Sequence, residues 1–132
     1  MTDKALTIGR LARTVGVNVE TVRYYQRLGL VREPARPVSG YRVYPRETIG
    51  RIHFIKRAQG LGFSLREIAR LLELGDGHCS DVRAQAEYRR QQIDARIREL
   101  ELMKTSLDRL IGKCRNTGSS HRCPIVSALS DI

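Results

Sequence analysis

The chain has 132 residues and a formal net charge of +10, and residues 1–60 hold most of that excess, with 12 Lys and Arg against 4 Asp and Glu. The length admits one small globular domain plus an extension, too little for a large core without a partner. The longest apolar runs are only a few residues and no signal peptide or transmembrane span is visible, so a cytoplasmic protein with no membrane partner is expected, and a basic half with interleaved tyrosines predicts a nucleic acid partner.

In chain order, Thr7 can cap a short helix carrying Ile8, Leu11 and Ala12, Gly16 makes a turn, and Asn18 caps a second helix. In that second helix Val19, Val22 and Leu28 are expected to pack, while Glu20, Thr21, Arg23, Tyr24 and Arg27 are available to the outer surface; Tyr25 divides evenly between core and surface. This is helix-turn-helix spacing, and although such pairs occur in proteins that never touch DNA, the local positive charge favours the DNA-binding reading. Pro34, Pro37 and Gly40 then stop any helix, and Tyr41, Arg42, Val43 and Tyr44 alternate as a short strand. A small β wing follows, with Arg36, Arg42 and Arg46 placed to reach phosphates.

From Glu47 to Gln59, Ile49, Ile52, Ile55 and Ala58 return to a helical period that Gly60 and Gly62 end. Ser64 and Glu67 have capping-box spacing, and Leu65, Ile68, Leu71 and Leu72 give the next helix its packing face. His53, set among apolar residues with no second ligand near it, reads as a structural histidine. The run GDGHC is a hinge.

The stretch from Ser80 to Lys113 reads as one long helix with a narrow apolar stripe: Ala86, Ile93, Leu100 and Leu107 recur every seventh residue, and Ile97 and Ile111 follow four residues after members of that series. Arg83, Arg90 and Lys104 interrupt the second seam position, so the helix cannot be buried in one chain's core and a second copy is the expected partner. Cys79 and Cys114 are expected just outside the two ends, about 50 Å apart at ~1.5 Å per residue, too far to share an ion within one chain. Antiparallel pairing would bring Cys79 of one copy to Cys114 of the other, with Cys123 returned to the same place by the loop RNTGSSHR. Parallel pairing would instead join like with like, and the heptads do not choose between them.

The segments LTIGRLARTVGVNVETVRYYQRLGLV, GYRVY and RIHFIKRAQGLGFSLREI resemble the MerR family of transcriptional regulators, and Cys79, Cys114 and Cys123 with CPIVSAL are similar to its mercury-responsive members. The resemblance implies a mainly helical fold with a small β wing: a winged helix-turn-helix DNA-binding domain (1–75), a hinge and long antiparallel coiled-coil dimerisation helix (76–113), and a metal-binding loop with a short C-terminal helix (114–132). It further implies a homodimer that binds double-stranded promoter DNA with and without metal and, once loaded, distorts it for RNA polymerase. Carried over position by position, DNA would be met by Thr21, Arg23, Tyr24, Tyr41 and Arg42, and metal by Cys79, Cys114 and Cys123. Arg10 departs from the family, which often has an acidic residue there to complete the cap after Thr7.

A single cysteine is ordinarily a small hydrophobe, but three flanking one helix, with Lys113, Arg115 and Arg122 nearby, favour thiolates and a soft ion. Hg(II) is the expected effector and Pb(II) its nearest competitor; Zn(II) or Cd(II) are further alternatives, zinc needing His121, His78 or water to complete a tetrahedron. The zinc-responsive relatives carry a further cysteine where this chain has Arg115. An enzyme such as a mercuric reductase would need a dinucleotide fingerprint and a redox CxxC pair, and neither is present. A basic coiled-coil adaptor that only binds metal is the remaining rival.

Overall fold

The computed structural model describes residues 5–116 and 122–130, which form six helices: α1 (Ile8–Val15), α2 (Val19–Arg27), α3 (Glu47–Gly60), α4 (Leu65–Leu74), α5 (Cys79–Asn116) and α6 (Pro124–Ser130). The chain divides into two compact units, Met1–Val82 and Arg83–Ile132.

In the first unit α1 packs on α2 and α3, and α3 packs on α4. The fully buried side chains at the centre are Leu11, Val22, Ile52, Ile55 and Ile68, one or two from each helix. The helix ends follow local chemistry. Asn18 Oδ1 accepts from both the backbone N–H (2.9 Å) and the hydroxyl (2.8 Å) of Thr21, fixing where α2 begins. Gly16 closes α1 at φ 75°, where a side chain would be strained, and Lys56 Nζ donates to the Val15 carbonyl at 2.7 Å, placing a cation at a helix C-terminus. Ser64 and Glu67 form the full capping box at the start of α4. Thr7 caps α1 as expected, but its bond from the Arg10 N–H is long at 3.5 Å and the first turn contains no acidic residue.

Two local expectations differ, and the even reading of Tyr25 is resolved. Leu28 is 47% exposed, because the chain leaves α2 at that point and Leu30 and Val31 fill the core instead. Tyr25 is a core residue whose hydroxyl donates to Gln59 at 2.9 Å. The Tyr41–Tyr44 wing is extended, but among the described residues it forms no strand ladder: its backbone is anchored where the Tyr44 N–H reaches the Leu6 carbonyl at 2.8 Å. Pro34 and Pro37 withhold two donors from any partner strand, and Gly40 turns the chain at φ 88°.

Helix α5 is longer than expected, starting one residue earlier than Ser80 and ending three later than Lys113. Its first N–H groups, on Asp81 and Val82, bond to the His78 carbonyl. At the other end Gly112 is not in a left-handed conformation, so it does not terminate the helix, and Lys113 and Arg115 suit the negative end of the helix dipole. Cys79 and Cys114 therefore lie inside the helix rather than beyond its ends. Along it Ile93, Ile97, Leu100, Leu107 and Ile111 are all exposed. Among the described residues no helix is long and apolar enough to cross a membrane.

Candidate functional site

The first unit brings Arg23, Tyr41 and Arg42 around one cleft of about 180 Å³, together with Thr7, Ile8, Gln26, Glu33 and Tyr44. Arg23 projects from the exposed face of α2 and pairs with Glu20, one turn earlier, at 3.0 Å. Arg42 comes from the wing and pairs with Glu33 at 3.1 Å. Beneath them the Tyr44 hydroxyl donates to Gln26 Oε1, tying the buried wing tyrosine to α2. Burial, then the negative field of Glu33, holds the Tyr44 phenol above its ordinary range, so it remains a neutral donor.

Thr21 and Tyr24 are not among the residues lining this cleft. The Thr21 hydroxyl is committed to the Asn18 cap. Tyr24 is exposed, with the Arg27 guanidinium 5.7 Å from its ring centroid, a cation–π arrangement that makes a flat, positively charged surface. Gln26 and Glu33 are the participants that sequence reasoning missed. Nothing in the helical periodicity distinguishes Gln26, and Glu33 lies in a proline-bounded loop whose return toward α2 only the fold reveals.

The second unit contains the thiols Cys114, near the end of α5, and Cys123, immediately before α6. None of the three cysteines is in a disulfide, and all are exposed. The backbone amides of Val126 and Ile125 donate to the Cys123 sulfur, and the Cys114 side chain does so more weakly, so Cys123 lies below the ordinary thiol range and is biased toward thiolate. The local reason is Pro124: it starts a helix without needing an N–H partner and leaves the next amides directed back at residue 123. This pair fits a soft, thiophilic ion, because it supplies two sulfurs, and amide donors ease the ionisation of one of them. Cys79 belongs to the first unit, and among the described residues no three His, Cys, Asp or Glu side chains gather in a group that could hold a metal. Residues 117–121, which include His121 and most of the expected loop, lie outside the described residues.

Two family models match the chain: the MerR HTH family regulatory protein over residues 6–74, and MerR, DNA binding, over residues 49–110. The chain is similar to the mercuric resistance operon regulatory protein of Shigella flexneri, with 43% identity over 94% of this chain and 87% of that one. Among solved structures it resembles the transcription regulator PbrR691 from Ralstonia metallidurans CH34 in complex with lead(II), at TM-score 0.81 and 31% identity over 95% of this chain and 99% of that one. It also resembles MerR from Bacillus megaterium MB1 in complex with mercury(II), at TM-score 0.77 and 36% identity over 96% of this chain and 100% of that one. With the helix-turn-helix and its adjoining cleft already in place, these matches make the chain a member of the MerR family of DNA-binding transcriptional regulators, and not an enzyme.

Proposed function

We propose that this protein is a mercury-responsive transcriptional regulator that binds a near-palindromic promoter operator as a homodimer and, on taking up Hg(II), remodels that DNA so that RNA polymerase can use it. The observation that carries the reading is the meeting of Cys114 with Cys123 at the start of α6, where two backbone amides face the Cys123 sulfur. The exposed seam Ile93, Ile97, Leu100, Leu107 and Ile111 supports a second copy packed along α5. If the two copies run antiparallel, Cys79 of one joins Cys114 and Cys123 of the other, giving three soft ligands at each end of the coil. A thiophilic dication bound there supplies strong, directional sulfur bonds across the dimer interface.

On the DNA side, Arg23 and Tyr24 of α2, with Thr21 at its start, read the major groove while Tyr41 and Arg42 of the wing meet the DNA beside it. The planar guanidinium fork of Arg23 suits guanine or bidentate phosphate recognition. An effector shifts a two-state dimer only by its differential affinity, so the thiols must be better placed in the DNA-distorting conformation than in the resting one. Operator binding then persists in both states, and regulation acts through DNA shape rather than release.

Transcription from the cognate promoter, measured across Hg, Pb, Cd, Zn and Cu salts, tests the reading. The strongest response at the lowest concentration is expected for Hg(II), with the operator footprint retained. Induction by zinc or copper ahead of mercury would overturn the metal assignment, and simple loss of the footprint on metal addition would overturn the remodelling mechanism. Pb(II) is the second reading, favoured by the likeness to a regulator solved with lead(II).

A further inference from the structure

Arg42 is held at the tip of its guanidinium and not at its Nε. Its Nη1 donates to Glu33 Oε1 at 3.1 Å, while its Nε is buried and has no acceptor among the described residues. Among the described residues the Glu33 carboxylate is the acceptor that meets this guanidinium, and it sets the direction in which the fork points. The two side chains are 41% and 51% exposed, and an ion pair that open contributes little to stability. Its consequence is electrostatic: the carboxylate lies within the cleft that Arg23, Tyr41 and Arg42 line, where every other charged group is a guanidinium.

We infer that Glu33 is a specificity-determining positioning residue: it aims Arg42 at the face shared with Arg23 and offsets one positive charge there, so that a phosphate backbone alone is bound less well than an operator that Arg42 fits. The two effects separate by DNA sequence. Charge offset weakens binding to any duplex, because it reduces by about one the counterions released. Positioning helps only where Arg42 has a matched acceptor, so the carboxylate lowers non-specific affinity more than specific affinity. This rests on the proposed reading of Arg42 as a DNA contact.

The test uses the full-length protein with two duplexes of equal length: the segment its footprint protects in its own promoter region, and a scrambled version. Affinities are measured over a range of salt concentrations for wild type, Glu33→Gln, Arg42→Ala and the double variant, with circular dichroism checking the fold. Glu33→Gln is expected to tighten binding to the scrambled duplex several-fold, to steepen its salt dependence by about 0.9 in log–log slope, and to reduce discrimination between the duplexes. In the Arg42→Ala background the loss of discrimination should disappear while the slope change persists. If Arg42→Ala weakens binding but Glu33→Gln leaves slope and discrimination at wild-type values, the role of Glu33 is overturned and the contact reading stands. If Arg42→Ala changes binding to neither duplex, the contact reading fails and the inference fails with it.

Discussion

The Cys123 sulfur accepts from two backbone amides and, more weakly, from Cys114, which lowers its pKa from the ordinary thiol value before any metal arrives. Iodoacetamide modifies thiolates only, and its site-resolved rate profile in metal-free protein should have a midpoint at Cys123 below the ordinary thiol value of about 8.5. Cys114→Ala should raise that midpoint part of the way, because the amides are the larger cause and remain. A midpoint at or above 8.5, read by peptide mass spectrometry, would show that the amides do not bias the thiol in solution. The residue types at this site were legible in the chain, since three cysteines around one helix stand out. Which of them is activated was not, because it depends on where Pro124 starts α6. Tyr25 shows the same limit: sequence left it evenly divided, and only the approach of Gln59 from α3 supplies the partner that lets its hydroxyl be buried.

Among the elements, helix α2 begins on a single side chain. Asn18 accepts from both groups of Thr21, so Asn18→Ala removes a cap and leaves the Thr21 hydroxyl without its acceptor. A loss of about 1 kcal/mol is expected in urea denaturation, with Asn18→Ser recovering most of it. An unchanged midpoint would mean that packing of Val22 and Tyr25 alone holds the start of α2. Helices α1, α2 and α4 were readable because capping residues and apolar periodicity agree at each one, and α3, whose N-cap Arg46 makes no side-chain bond, from its apolar spacing alone. Agreement failed at two places. The wing alternates like a strand, yet its prolines and the Tyr44 to Leu6 bond leave it without a ladder. The C-terminal end of α5 lies three residues beyond the expected Lys113, because Gly112 does not adopt the left-handed conformation with which a glycine ends a helix.

For the whole molecule, a continuous α5 of 38 residues is about 57 Å long at ~1.5 Å per residue, and 35 of those steps separate Cys79 from Cys114. Its seam is exposed, so the heptads legibly demanded a partner, but orientation was invisible in them because an apolar stripe has no direction. The shared three-thiolate site depends on that orientation, and mixed dimers decide it. Suppose one protomer carries Cys79→Ser and its partner carries Cys114→Ser with Cys123→Ser. Each parental homodimer lacks the complete set of Cys79, Cys114 and Cys123. In the antiparallel heterodimer, the intact Cys79 of the double variant meets Cys114 and Cys123 of the single variant at one end, while the opposite end has no sulfur. One full site returns, so the purified heterodimer should bind about one Hg(II) tightly and show thiolate-to-metal absorption that neither parent shows. Parallel pairing would place the single intact Cys79 far from the intact pair, and intrachain sites would stay broken in both protomers. A heterodimer that binds no better than its parents therefore eliminates the antiparallel shared site, whatever the transcription assay returns.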